Sequence, residues 1–167
     1  MTTEKVKRSL FRTFLNVAPG EQESDYALLG EGVTSAEIQY NPQTTEETYI
    51  HQDSGVTEIE SYRPTMPIEA SCVAGDDVFD FIDGLRKVRA VLDAAKTDIV
   101  NVWLYEDDEG GEYPAEQQDV SIQIDSFGGA GGETNKINFT INFLGDPVAG
   151  TFDPEEGAFT PTGQGGS

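Results

Sequence analysis

The sequence predicts a mainly β protein, a β-sandwich or partly open β-barrel with one flanking α-helix, a long loop and extended termini. Three observations predict it. Seven stretches read as strands, six with apolar residues at alternate positions, as half-buried strands have, and one apolar on both faces. A single stretch, 76–92, repeats them at helical spacing. Nine Phe, six Tyr and one Trp supply bulk for a core, although only 37 % of the residues are hydrophobic. The 167 residues suit one domain, since domains commonly run about 100–150 residues.

The strands follow in order. Stretch 9–17 puts Phe11, Leu15 and Val17 on one face, with Arg12 and Asn16 on the other. Stretch 33–40 sets Ala36, Ile38 and Tyr40 against Ser35, Glu37 and Gln39, and 57–62 pairs Glu58 with Glu60 on one face. Pro64 and Pro67 precede the strand 68–73. Stretch 98–105 (DIVNVWLY) is apolar on both faces, as a doubly covered strand would be. Stretches 120–126 and 137–144 alternate cleanly, with Ile137, Phe139, Ile141 and Phe143 opposing Asn138, Thr140 and Asn142. In the helix 76–92, Val78, Ile82, Leu85 and their neighbours form the apolar stripe. Asp76 is the expected N-cap; early Asp77 and Asp80 and late Arg86, Lys87 and Arg89 complement the helix dipole. Three segments remain: a loop at 41–56, a glycine-rich hairpin loop at 128–135, and a tail at 154–167 with turn-forming composition.

Charge narrows the function. There are 31 acidic and 10 basic residues, a formal net of −21. Residues 1–13 hold Lys5, Lys7, Arg8 and Arg12 against Glu4, so the basic arm at 1–8 leads into an acidic remainder. No Lys or Arg occurs between Phe14 and Tyr62. Such a surface repels phosphate, which argues against tight or sequence-reading nucleic-acid binding. Solubility is the plainer reading of the same charge.

The inventory for catalysis is poor, and no enzyme, metal or cofactor is expected. His51, the one histidine, sits in a polar loop without a nucleophile beside it. Cys72, the one cysteine, shares a face with Ile68 and Ala70 and reads as a small buried hydrophobe. The cluster Glu106-Asp107-Asp108-Glu109-Gly110-Gly111 does not place acids at alternate positions ahead of the fixed glycine and distal Glu of an EF-hand, and reads as a solvated turn. No stretch approaches the roughly 18 apolar residues of a membrane span, so membrane insertion is not expected. Material for association is plentiful instead: Tyr49 and Ile50 in the long loop need a neighbouring surface, and the basic arm suits any acidic copy beside it.

Three stretches carry a resemblance: LLGEGVTSAEIQYNPQTTEETYI at 28–50, SYRPTMPIEASCVAGDDVFDFIDGLR at 61–86 and INFTINFLGDPVAGTFD at 137–153. In style and order they resemble the tail tube (major tail) proteins of long-tailed bacteriophages, siphophage type. The resemblance implies hexameric rings stacking into a tube that delivers the genome, with double-stranded DNA passing without specific binding. It implies tape measure, tail terminator and distal tail or baseplate proteins as partners, and a virion made in the bacterial cytoplasm. Carried onto this chain, 41–56 becomes the inter-ring loop, with Tyr49 and Ile50 as anchors beside Glu46, Glu47 and His51. The helix lies outside the sheet, and Glu37, Gln39, Glu58 and Glu60 line the lumen. Lys5, Lys7, Arg8 and Arg12 become arm contacts between subunits. Related tubes of contractile tails, tail-like bacteriocins and secretion systems share the implied fold. A secreted β-sandwich ligand-binding module and an acidic DNA mimic are the readings of other classes.

Overall fold

The computed structural model describes residues 3–106 and 110–162. Its strands are β1 (Phe11–Asn16), β2 (Tyr26–Leu28), β3 (Val33–Ala36), β4 (Pro42–Glu47), β5 (Val56–Tyr62) and β6 (Thr65–Ser71). Helix α1 (Asp77–Val88) follows, then β7 (Lys96–Trp103), β8 (Tyr113–Gly128), β9 (Lys136–Asp153) and β10 (Ala158–Pro161). Seven strands pair in the order β2-β1-β7-β8-β9-β6-β3, and β10 adds to the far half of β9. All these pairings are antiparallel, and the sheet curls into half a barrel. Strands β4 and β5 pair only with each other.

Alternation along the strands builds two cores on opposite faces. On the helix side, Leu15, Met66, Ile68, Ile99, Ile122, Phe139 and Ile141 pack with Val78 and Ile82 of α1. On the other face Phe14, Val100, Val102, Ala115 and Phe152 cluster with Tyr26 and Phe159. Adjacent residues are therefore buried in opposite directions, Phe14 and Leu15 on β1 and Ile99 and Val100 on β7. The double cover expected for 98–105 is present, and β1 has it too, where one-sided alternation was expected. The long hairpin β8–β9 serves both cores. Its half at Asp119–Leu144 lies over the helix-side cluster, and its half at Ala115–Gly150 over the second. Between the halves the pairing slips, and buried Gln118 donates from Nε2 to the Gly145 carbonyl at 2.9 Å.

The helix begins as expected, with the Asp76 carboxylate accepting from the Phe79 N–H at 3.1 Å. It stops four residues before the expected Leu92, because Arg89 turns left-handed at φ 49° and its N–H closes back on Leu85 and Arg86.

Strand 33–40 is shorter than its alternation predicted, for a reason located on its neighbour. Gln39 and Thr65 exchange two backbone hydrogen bonds, at 2.7 and 2.9 Å. Pro67, two residues on, faces the same side of β6 and has no N–H to give. The register Ala36↔Ile68 and Gln39↔Thr65 sets Glu37 opposite it, so β3 ends at Ala36. The expected loop 41–56 is likewise not a loop throughout. Its first part is β4, paired with β5, leaving only 48–55 as the turn. The expected tail 154–167 contains β10, paired with β9 through Phe159↔Phe152. Residues 163–167 lie outside the described residues.

Candidate functional site

Beyond the Gln39–Thr65 bridge the chain leaves the sheet as a two-stranded arm, 40–63. Its root is pinned. Tyr40 and Tyr62 meet edge to face at 6.3 Å, and the Arg63 N–H donates to the Tyr40 carbonyl at 3.1 Å. Asn41 takes a left-handed φ of 45°, which asparagine tolerates, while its Nδ2 donates to the Arg63 carbonyl at 3.1 Å. The ribbon beyond is bare: every residue of β5 is exposed. Tyr49, Val56 and Ile59 are exposed, and Ile50 at the turn is wholly so, at 107 %. A buried Ile or Leu stabilises a fold by about 1.5–3 kcal/mol, and the ribbon has none; an isolated two-stranded hairpin is marginal in water. The apolar residues of the arm thus stand without cover in one copy.

Four of the five residues expected at a stacking contact gather at its tip. The Tyr49 hydroxyl donates to Glu47 at 2.9 Å, and the Tyr49 and His51 rings stack at 6.3 Å with Ile50 between them in sequence. Glu46 sits on β4 opposite Thr57.

The four residues expected on one polar sheet face do not lie on the main sheet's face. Glu58 and Glu60 belong to the ribbon, and Glu37 and Gln39 to the stretch where the chain leaves the sheet. Alternation reveals that a strand has a polar face; it does not say which sheet the strand joins. The broad polar face of the main sheet is formed by other residues. On β6, β9 and β8 the face opposite α1 carries Pro67 and Glu69, then Asn138, Thr140 and Asn142, then Gln123, Asp125 and Ser126. Its donors are engaged internally. Gln123 Nε2 and Thr140 Oγ1 both donate to the Asp125 carboxylate at 2.6 Å, Asn138 Nδ2 to Ser126 Oγ at 2.9 Å, and Asn142 Nδ2 to Gln123 Oε1 at 3.4 Å. The signal was legible as the small polar partners of Ile137–Phe143, but its location needed the pairing.

At the N-terminal segment Arg8 is held by its own chain. It donates to the Phe11 carbonyl at 2.6 Å and the Ala36 carbonyl at 3.0 Å, and lies 5.2 Å over the Phe11 ring. Arg12 donates to the Ser9 carbonyl at 3.2 Å. Lys5 and Lys7 are exposed and make no ion pair among the described residues.

No family model matches the sequence, and no curated protein matches it. Among solved structures, a chain from the tail of an empty GTA particle, refined helically with C6 symmetry, superposes with a TM-score of 0.62 at 12 % identity. The superposition covers 93 % of this chain and 99 % of that one. This chain has the fold of that tail protein. Two chains of an extracellular contractile injection system in its extended state align more loosely. One, from the sheath/tube terminator, has a TM-score of 0.49 at 13 % identity, covering 89 % of this chain and 99 % of the other. The second, from the sheath–tube complex, has a TM-score of 0.45 at 15 % identity, covering 87 % and 90 %. The β-rich fold with one flanking helix, shared with the GTA tail chain, is the expected one.

Two titratable groups beside α1 are shifted by their surroundings. Burial pushes the Cys72 thiol up, with the nearby Asp83 carboxylate adding to it. Burial would also raise Asp83, but hydrogen bonds and charge from Arg86 and Lys87 hold it below the usual carboxylate range. Among the described residues no three His, Cys, Asp or Glu are grouped to hold a metal, and no helix is long and apolar enough to cross a membrane. Of the acidic cluster 106–111, Asp107, Asp108 and Glu109 lie outside the described residues.

Proposed function

We propose that the chain is a non-catalytic tail tube subunit of siphophage type, whose copies close into six-membered rings that stack into a tube. The observation that carries this is the arm: an apolar, acidic ribbon with no cover in one copy, on a fold shared with a chain from a tail of C6 symmetry. Tyr49 and Ile50 anchor the inter-ring contact, with Glu46, Glu47 and His51 around them. Short edge strands, β2 and β3, leave both ends of the sheet open to a neighbouring copy. Lys5 and Lys7 reach an acidic neighbour, while Arg8 and Arg12 first shape the segment that carries them.

The lumen is assigned to the polar face of β6, β9 and β8 rather than to Glu37, Gln39, Glu58 and Glu60. A wall that lets double-stranded DNA pass must not hold phosphate. Here the amide and hydroxyl donors are engaged with their neighbours, and Glu69 and Asp125 repel the duplex within about 8–10 Å at physiological salt. The tape measure, terminator and distal tail proteins are the partners this role requires, and the virion tail is its location.

Negative-stain microscopy and sedimentation of the purified chain at rising concentration test the proposal. Rings or tubes are expected. A strictly monomeric chain at every salt and protein concentration overturns it.

A further inference from the structure

The acidic arm needs a cover, and a second exposed apolar surface on the same chain has the complementary charge. At the end of α1, Val88, Val91 and Leu92 are 73 %, 67 % and 81 % exposed. Around them stand Arg86, Lys87 and Arg89, three of the ten basic residues in the chain. Arg86 lies 3.7 Å over the exposed Phe127 ring, and Arg86 and Lys87 share Asp83. Arg89 makes no ion pair among the described residues. Leu92 adopts φ 54°, a conformation bulky side chains rarely take, and presents its side chain to solvent. A strained, exposed leucine is the kind of feature found where a partner seats.

We propose that this corner receives the arm of a second copy of the chain. Charge supports it: the arm carries Glu46, Glu47, Asp53, Glu58 and Glu60 and no Lys or Arg before Arg63, whereas the corner is basic around an apolar centre. Topology supports it as well. The arm leaves the sheet at the Thr65↔Asn142 end, while Phe127 pairs with Ile137, one residue from the opposite end at Ser71↔Lys136. The root of the arm and the Arg86–Phe127 side of the corner thus lie toward opposite ends of the same strands. Both surfaces are bare in one copy, and a head-to-tail translation of copies would bring the arm of one to the corner of the next. Ile50 and Ile59 would seat against Val88, Val91 and Leu92, with Glu58 or Glu60 answering Arg89. This deepens the tube reading, since it names the surface on which each ring receives the next.

Cysteine pairing tests it. In a Cys72→Ser background, chains carrying both Ile50→Cys and Leu92→Cys are assembled and treated with a short bis-maleimide. A ladder of covalent oligomers is expected, with only uncrosslinked chain when either cysteine stands alone. Dimers from Ile50→Cys alone would show arm against arm and overturn the proposal. So would tubes that assemble normally without the 50–92 crosslink; absence of assembly in the wild-type chain overturns the tube reading itself, a separate result. In parallel, Arg89→Glu should raise the concentration needed for assembly about tenfold, the order expected of a lost interfacial charge pair, and Glu58→Lys or Glu60→Lys should restore part of it. If neither reversal rescues Arg89→Glu, the charge pairing is wrong.

Discussion

Pro67 stands opposite Glu37, and its missing amide releases the arm from the sheet. Supplying that amide should lock the root. In Pro67→Val, one added ladder bond contributes about 0.5–1.5 kcal/mol, while the freed backbone of the unfolded chain takes back about 0.4–1 kcal/mol. Stability should therefore barely move. The readout is amide exchange: the new amide at 67 should be protected, and that of Gln39 should slow relative to the wild-type chain. Unchanged exchange at Gln39 would show that the root is held by Asn41 and the tyrosine pair alone.

Tyr26 closes the opposite edge. Its hydroxyl donates to the Asp98 carboxylate, which also accepts from Asn16 Nδ2 at 2.9 Å and Gln117 Nε2 at 3.0 Å. Burial, reinforced by that carboxylate, pushes the Tyr26 hydroxyl well above its ordinary pKa of 10.0. Since the folded value is the raised one, the contribution is fully present below about pH 10 and fades as pH climbs toward the folded value. Tyr26→Phe should cost about 1.5–3 kcal/mol at pH 7, the worth of a hydrogen bond to a charged group. In denaturant titrations the gap between wild type and variant should narrow above pH 10. A gap that widens there would refute this account.

Gly150 is a packing requirement of β10. A Cβ there would meet the Thr160 carbonyl oxygen at 2.2 Å and the Phe159 ring at 2.7 Å. Gly150→Ala should destabilise by about 1–3 kcal/mol, as overpacking does. Limited proteolysis should then cut the segment after Asp153 first, since peeling β10 away relieves the clash.

Glu116 is half-buried on β8, and burial raises its carboxyl pKa. A carboxylate raised by burial stabilises the fold least when ionised, so its contribution is fully present below the unfolded value and is lost as pH rises through the folded one. Glu116→Gln should raise the melting temperature at pH 7 by a few degrees at most, with the difference vanishing near pH 4. A variant less stable at pH 7 would indicate a compensating partner for the charge.

The arm gives the cleanest separation of folding from assembly. Tyr49 and Ile50 touch neither core, so Tyr49→Ser with Ile50→Ser should change the melting temperature by no more than about 0.5 kcal/mol allows, as surface changes do. Tubes should be lost. Tubes that persist would remove the arm tip from the stacking contact.

Taken by itself, the sequence determined the β-rich class, the helix with its Asp76 cap, the buried side of the strands carrying Ile68, Ile122 and Ile137 to Ile141, and the doubly covered strand around Ile99. These follow from local spacing and composition, which a single stretch carries in full. Tertiary structure decided the rest. Whether 33–40 runs on as one strand depended on Pro67, thirty residues away in the chain from Glu37. Whether Glu58 and Glu60 face the broad sheet or a free ribbon depended on which strand β5 paired with. Whether Phe159 belonged to a tail or to a core depended on the bare backbone of Gly150. In each case the deciding group lies on another strand, and pairing between strands is information that no stretch holds alone.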